Sequence, residues 1–194
     1  MNHQVIFTDE LYHHGIKGQK WGVRRFRNED GSLTNAGKER YMYMNRVKRA
    51  AKTKSDIDRL YNTLSKDDKK LLGDNNNSKE WLKFEEGEFV VKRFIKKHGD
   101  EPVAALDIMT TKKPGHLTVA IMTNPKYRGS GSASQLAKQG KDWFDKNADK
   151  YGATSLGWEA YAKNGASRHI AEKTGFKYNK QASTKEWSVY DYKK

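Results

Sequence analysis

The residues best suited to chemistry lie in one short run, Asn124-Pro125-Lys126-Tyr127-Arg128-Gly129-Ser130-Gly131-Ser132-Ala133. Gly129 and Gly131 let the backbone turn tightly and let a ligand approach the main chain. Arg128 adds a fixed positive charge. A helix opening just after the turn would aim its unpartnered first amides, and the positive end of its dipole, at the same spot. A phosphate or pyrophosphate fits such a place. The competing reading is a solvated surface turn, because short glycine motifs also arise by chance.

The flanks supply the elements that such a turn needs. From His116 to Thr123, Leu117, Val119 and Ile121 alternate with Thr118 and Ala120, which predicts a strand. From Gln135 to Asn147, Leu136, Gln139, Trp143 and Phe144 fall at helical spacing. Upstream, Phe89 to Ile95 and Pro102 to Thr110 read as strands joined by a turn at His98-Gly99-Asp100. Lys112 to Gly115 is a second turn, so three successive antiparallel strands lead into the glycine run. Downstream, Ala153 to Trp158 reads as a strand and Asn164 to Thr174 as a helix ending at Gly175. Phe176 to Asn179 and Glu186 to Tyr192 read as closing strands.

Two motifs in this order carry a resemblance. Arg128-x-x-Gly131-x-Ala133, led in by Thr123-x-Pro125-x-Tyr127, is similar to the R/Q-x-x-G-x-G/A turn of the GCN5-related N-acetyltransferase (GNAT) superfamily. Asn164 to Phe176 is similar to that family's N-x-x-A-x-x-L-Y-E-K-L-G-F segment. The resemblance implies an α/β (α+β) fold with a mostly antiparallel sheet, flanking helices and a central strand pair that splays apart. It implies acetyl-coenzyme A as cofactor and no metal. The implied cofactor-binding set is Met122, Thr123, Arg128, Gly129, Ser130, Gly131, Ser132, Ala133, Asn164 and Ser167, with strand amides beside Met122 and Thr123 bonding the pantetheine arm. The family's proton-donating helix tyrosine is replaced by Ala171, and the strand position of its glutamate base reads as Leu117, next to His116. For acetyl transfer, Glu159 is the candidate base, set against a plain surface carboxylate. Tyr161, with Tyr178 as runner-up, is the candidate proton donor, set against a packing residue. Enzyme and non-catalytic binding protein both stay open.

The first 54 residues differ in character and are expected to form a module apart from an acetyltransferase-like domain over residues 55–194. His13 to Tyr41 resembles a module at the start of many tailed-phage proteins (H-H-G-x-K-G-x-K-W-G-V-R-R, then N-x-D-G-S-L-T-x-A-G-K-x-R-Y). That resemblance implies a phage origin, residence in the host bacterial cytoplasm, and a place for the protein in the virion or in head assembly. Interleaved basic and aromatic residues over 13–54 also suit nucleic acid. Thr34 is a candidate cap for a helix over Lys38 to Lys52, with Tyr41, Met44, Val47 and Ala51 on one face. A second helix is expected from a capping box at Ser55-x-x-Asp58, with Ile57, Leu60, Tyr61 and Leu64 as its apolar face, and Ser65 is expected to cap a third. Residues 73–77 read as a polar loop, followed by a segment with Trp81, Leu82 and Phe84.

The formal net charge of +14 over 194 residues favours anionic partners. No cysteine is present, which excludes disulfides, thiolate zinc sites and a cysteine nucleophile. His13 and His14 lack the neighbouring ligands a metal site needs. No apolar run reaches the length of a membrane span, and no signal peptide is visible at Met1, so no membrane partner is expected.

Overall fold

The computed structural model describes residues 28, 30–72 and 89–194. The first part of the N-terminal segment, with His13 and His14, and the stretch with Trp81, Leu82 and Phe84 lie outside the described residues. The chain divides into two compact units, residues 1–48 and 49–194.

Helix α1 spans Asn35–Asn62. Thr34 caps it: its Oγ1 accepts the Gly37 N–H at 3.1 Å and its carbonyl accepts the Lys38 N–H at 2.8 Å. The helix runs through Ser55, so the two helices expected on either side of residue 54 are one. A cap residue only satisfies amides left bare by a break, and Lys38 to Lys54 contains no glycine or proline to cause one. The expected apolar face is real, with Ile57, Leu60, Tyr61 and Leu64 all buried. Asp56 is buried beside them. Burial pushes its carboxyl pKa up, but hydrogen bonds from Lys97 and Arg59 outweigh this and hold it below the usual range. Helix α2, Lys66–Leu71, opens with the reciprocal capping box of Ser65 and Asp68.

Six strands form one sheet: β1 (Val90–His98), β2 (Glu101–Thr110), β3 (His116–Thr123), β4 (Ser155–Tyr161), β5 (Lys177–Tyr178) and β6 (Trp187–Lys193), in the order β1-β2-β3-β4-β6-β5. The β3–β4 pair is parallel and the other pairs are antiparallel. Between β3 and β4 the chain forms a 3-10 turn at Pro125–Tyr127 and helix α3, Ser132–Asn147; helix α4, Gly165–Lys173, follows β4. The glycine turn is therefore part of a strand-turn-helix-strand crossover, as expected. Strand β4 begins and ends later than the apolar run Ala153 to Trp158 implied, which makes Glu159 and Tyr161 strand residues.

One side of the sheet buries Leu106, Ile108, Leu117, Val119, Leu156, Trp158 and Ala160 with Leu136, Ala137 and Phe144 of α3 and Ala171 of α4. The other side packs Ala105 and Met122 against Ile57, Leu60 and Tyr61 of α1 and Leu64 just after it. Covered on both sides, β2 is buried continuously from Pro102 to Ile108. Asp107, expected simply as a strand residue beside Ala105, is fully buried and held by a two-pronged pair with Arg93 at 2.7 and 2.6 Å.

Candidate functional site

Strands β3 and β4 pair from His116 opposite Ser155 to Val119 opposite Trp158, and no further. Both strands continue. Ala120 to Thr123 stay in register with β2, where Thr123 lies opposite Ala104. Glu159, Ala160 and Tyr161 stay on β6, opposite Val189, Ser188 and Trp187. Each strand thus follows its outer neighbour, and a gap opens between the two inner edges.

Hydrogen bonds set which groups face that gap. The Asn124 N–H donates to the Val103 carbonyl at 2.9 Å, so the alternation turns the Met122 N–H toward β2 as well. Ile121 and Thr123 then present their main-chain groups to the gap. Opposite them, the Ala162 N–H donates to the Glu186 carbonyl at 2.8 Å, which places the main chains of Glu159 and Tyr161 on the gap side of β4. Of the two amides expected to meet a pantetheine arm, that of Thr123 faces the gap, whereas that of Met122 faces β2 and its side chain is core; the main chain of Ile121 also faces the gap.

At the mouth of the gap lies the glycine turn. Asn124 is buried, and its Oδ1 accepts the Lys126 N–H at 3.1 Å. The Tyr127 hydroxyl donates to Glu101 at 2.6 Å, which anchors the turn to the start of β2. That hydrogen bond, with Lys126 nearby, holds the Glu101 carboxyl below the usual range. Gly129 and Gly131 have φ of 80° and 77°, the left-handed region that a side chain would disfavour. Among the described residues, chain neighbours aside, a Cβ at either would meet nothing within 4 Å, so the turn is open on that side. Gly131 is the N-cap of α3 and brings no capping side chain. The first intrahelical bond is the Gln135 N–H to the Gly131 carbonyl at 3.0 Å, leaving the Ala133 and Ser134 amides at the helix tip. Ser130 and Ser132 share a hydroxyl contact of 2.8 Å. The Arg128 guanidinium is paired with Asp68 of α2 at 2.6 Å.

The acid-base candidates divide. Glu159 is exposed, on the sheet side opposite to buried Trp158 and Ala160. Tyr161, two residues on, stacks on Trp187 with ring centroids 4.0 Å apart. Both are beside the gap, whereas Tyr178 sits on edge strand β5, with β6 between it and β4. His116 and Leu117 lie at the closed end of the β3–β4 pair, and Leu117 is core. Ala171 is fully buried. Asn164 and Ser167 are occupied locally: Asn164 caps α4 by accepting the Ser167 N–H at 3.1 Å, and the Ser167 hydroxyl accepts the Trp158 indole N–H at 3.0 Å. Sequence reasoning passed over Trp158 as one more apolar strand residue. It forms the last paired position before the gap and packs edge-on against Phe176 at 5.5 Å. A Cβ at Gly157 beside it would lie 2.6 Å from Nε2 of His116, so a side chain there would force that imidazole to shift. Among the described residues no group of three His, Cys, Asp or Glu is placed to hold a metal, and no helix is long and apolar enough to cross a membrane.

The acetyltransferase (GNAT) domain family matches residues 22–177. A family of unknown function (DUF7211) matches residues 3–28. No curated protein sequence matches the chain. Among solved structures, the GNAT domain of S. lividans PAT is 15% identical, with a TM-score of 0.53 over 72% of this chain and 86% of that one. An acetyltransferase (GNAT family) from Bacillus anthracis is 18% identical, with a TM-score of 0.43 over 51% of this chain and 63% of that one. The protein yncA from Salmonella typhimurium, solved with its cofactor acetyl-CoA, is 12% identical, with a TM-score of 0.42 over 52% and 63%. The chain thus spans less than two thirds of the length of these last two. With a family match over most of its length and a fold like that of the S. lividans domain, the chain belongs to the acetyltransferase (GNAT) domain family.

Proposed function

We propose that the protein is an acetyl-coenzyme A-dependent N-acetyltransferase that modifies an amine of a protein or small molecule. The observation that carries this reading is the gap between β3 and β4 running up to an open, uncapped helix start. The residues present fit the cofactor. The Ala133 and Ser134 amides and Arg128 would hold its diphosphate, and the main chain of Ile121 and Thr123 would pair with its pantetheine amides. When bound, it supplies the acetyl thioester. Glu159 would take the proton from the amine to be acetylated, and the Tyr161 hydroxyl, or water, would return a proton to the thiolate of the spent cofactor. Titration calorimetry with acetyl-coenzyme A is expected to give a dissociation constant in the micromolar range. Arg128→Glu is expected to weaken it by about tenfold, one charge-assisted hydrogen bond's worth. No heat from the unaltered protein would overturn the reading.

The N-terminal resemblance supports a phage origin, and with it residence in the host cytoplasm or incorporation in the virion as a structural protein. A specific observation also supports nucleic-acid contact there. On α1, Tyr41, Met42, Tyr43, Met44 and Val47 are exposed among Lys38, Arg46, Lys48, Arg49, Lys52 and Lys54. Glu39 is the one carboxylate between residues 38 and 54. The proposed division at residue 54 gives a joint prediction. Residues 55–194 alone should melt cooperatively and keep cofactor binding, because the buried positions Asp56 and Ile57 follow the cut and Ser55 can cap the new end. The truncated protein should lose the salt-dependent oligonucleotide binding of the full chain.

A further inference from the structure

The Arg128 guanidinium already has an anion beside it. Its Nη2 lies 2.6 Å from Oδ1 of Asp68, with the arginine side chain 54% exposed and the aspartate side chain 16% exposed. The other oxygen of that carboxylate, Oδ2, accepts the Ser65 N–H at 3.2 Å and the Ser65 hydroxyl at 2.7 Å. In return, the Asp68 N–H donates to the Ser65 hydroxyl at 3.1 Å. The cap of α2 therefore holds the carboxylate in place independently of Arg128. Burial pushes the Asp68 pKa up, yet the hydrogen bonds from Ser65 and Arg128 together outweigh it and keep the group ionised at neutral pH. Asp67, next in sequence, behaves differently: it is 92% exposed and lies 3.6 Å from Lys70.

Given the reading of the glycine turn as a diphosphate site, we propose that Asp68 is a built-in stand-in for that diphosphate, which holds Arg128 while the site is unloaded and competes with the incoming cofactor for it. A diphosphate bonded to Arg128 would bring like charge up to a carboxylate that cannot move without undoing the cap of α2. Loading then requires the Asp68–Arg128 contact to part. This couples the glycine turn to α2, an element on the far side of the chain from it in sequence. The device lowers cofactor affinity, keeps the arginine in an ordered position, and frees α2 from the turn when the site fills.

The test is titration calorimetry of the full chain with acetyl-coenzyme A at low and high salt. Asp68→Asn is expected to tighten binding by about three- to fivefold at low salt, the worth of a partly exposed pair, and by less at high salt. Asp67→Asn changes net charge equally without touching Arg128 and should bind like the unaltered protein. Asp68→Ser keeps a hydroxyl for the Ser65 cap and should tighten binding to the same extent, which guards against loss of α2. In an Arg128→Ala background the effect of Asp68→Asn should vanish. Unchanged or weaker binding by Asp68→Asn and Asp68→Ser overturns the proposal, since Asp68 would then be a support for Arg128. Equal tightening by Asp67→Asn overturns it too, by assigning the effect to overall charge. Failure of the unaltered protein and of Asp67→Asn to bind at all would instead remove the diphosphate site on which the proposal rests.

Discussion

Gly131→Val is expected to abolish acetyl-coenzyme A binding and leave the protein folded. Position 131 has φ of 77°, which a β-branched residue adopts at a cost of roughly 1–3 kcal/mol. Among the described residues, chain neighbours aside, no atom lies within 4 Å of a Cβ at this position, so the new side chain starts into open space. The stability loss should therefore stop at the strain, read as a drop of about 2–12 °C in melting temperature. Binding should suffer more. The new side chain would fill part of the open space beside the turn, and a diphosphate kept out of that space would lose the Ala133 and Ser134 amides. Losing two charge-assisted hydrogen bonds at about 1.5–3 kcal/mol each weakens binding by more than about a hundredfold. Calorimetry alongside a melting curve separates the two effects. Undiminished binding by a folded Gly131→Val protein would place the cofactor elsewhere.

The largest stability effect is expected at Trp158. Its side chain is 1% exposed, it packs against Phe176, and its indole N–H bonds the Ser167 hydroxyl. Trp158→Ala should cost about 3–5 kcal/mol through lost burial and the cavity left behind. That is a large share of the roughly 5–15 kcal/mol that holds a typical domain together. Trp158→Phe keeps most of the apolar volume and loses the bond to Ser167, so a smaller cost of about 1 kcal/mol is expected. Urea unfolding monitored by circular dichroism gives both values, and a Trp158→Ala midpoint close to that of the unaltered protein would contradict this assignment. Because Trp158 is the last paired residue before the gap, the two predictions probe the closed end and the mouth of the same cleft.

Local pattern made most of the elements legible. The alternation of Leu117, Val119 and Ile121 located β3 at its observed ends, and the Ser65–Asp68 spacing located the start of α2. The cap at Thr34 was readable for the same reason: a side chain and the amides it satisfies lie within four residues of each other. Ser55 shows the limit of that logic. It carries the right residues for a cap, but whether a helix begins there depends on the chain before it, and that chain is helical. At the site, Gly129 and Gly131 were legible because their positive φ values are a property of the turn itself.

Other features depend on residues far apart in sequence. The phase of hydrogen bonding on β3, which turns Ile121 and Thr123 rather than Met122 toward the gap, is set by pairing with β2. The Arg93–Asp107 pair and the Asp68–Arg128 contact join charges on different elements, which no local pattern connects. Residue types and spacing by themselves determined the order of strands and helices, the glycine turn and the charge beside it, since backbone preference and hydrophobic period act over a few residues. Tertiary structure alone decided that β3 and β4 part after Val119 and Trp158, because each strand's register is held by its outer partner. It also decided which main-chain groups line the opening and which carboxylate waits at Arg128, since those contacts exist only once distant segments are packed together.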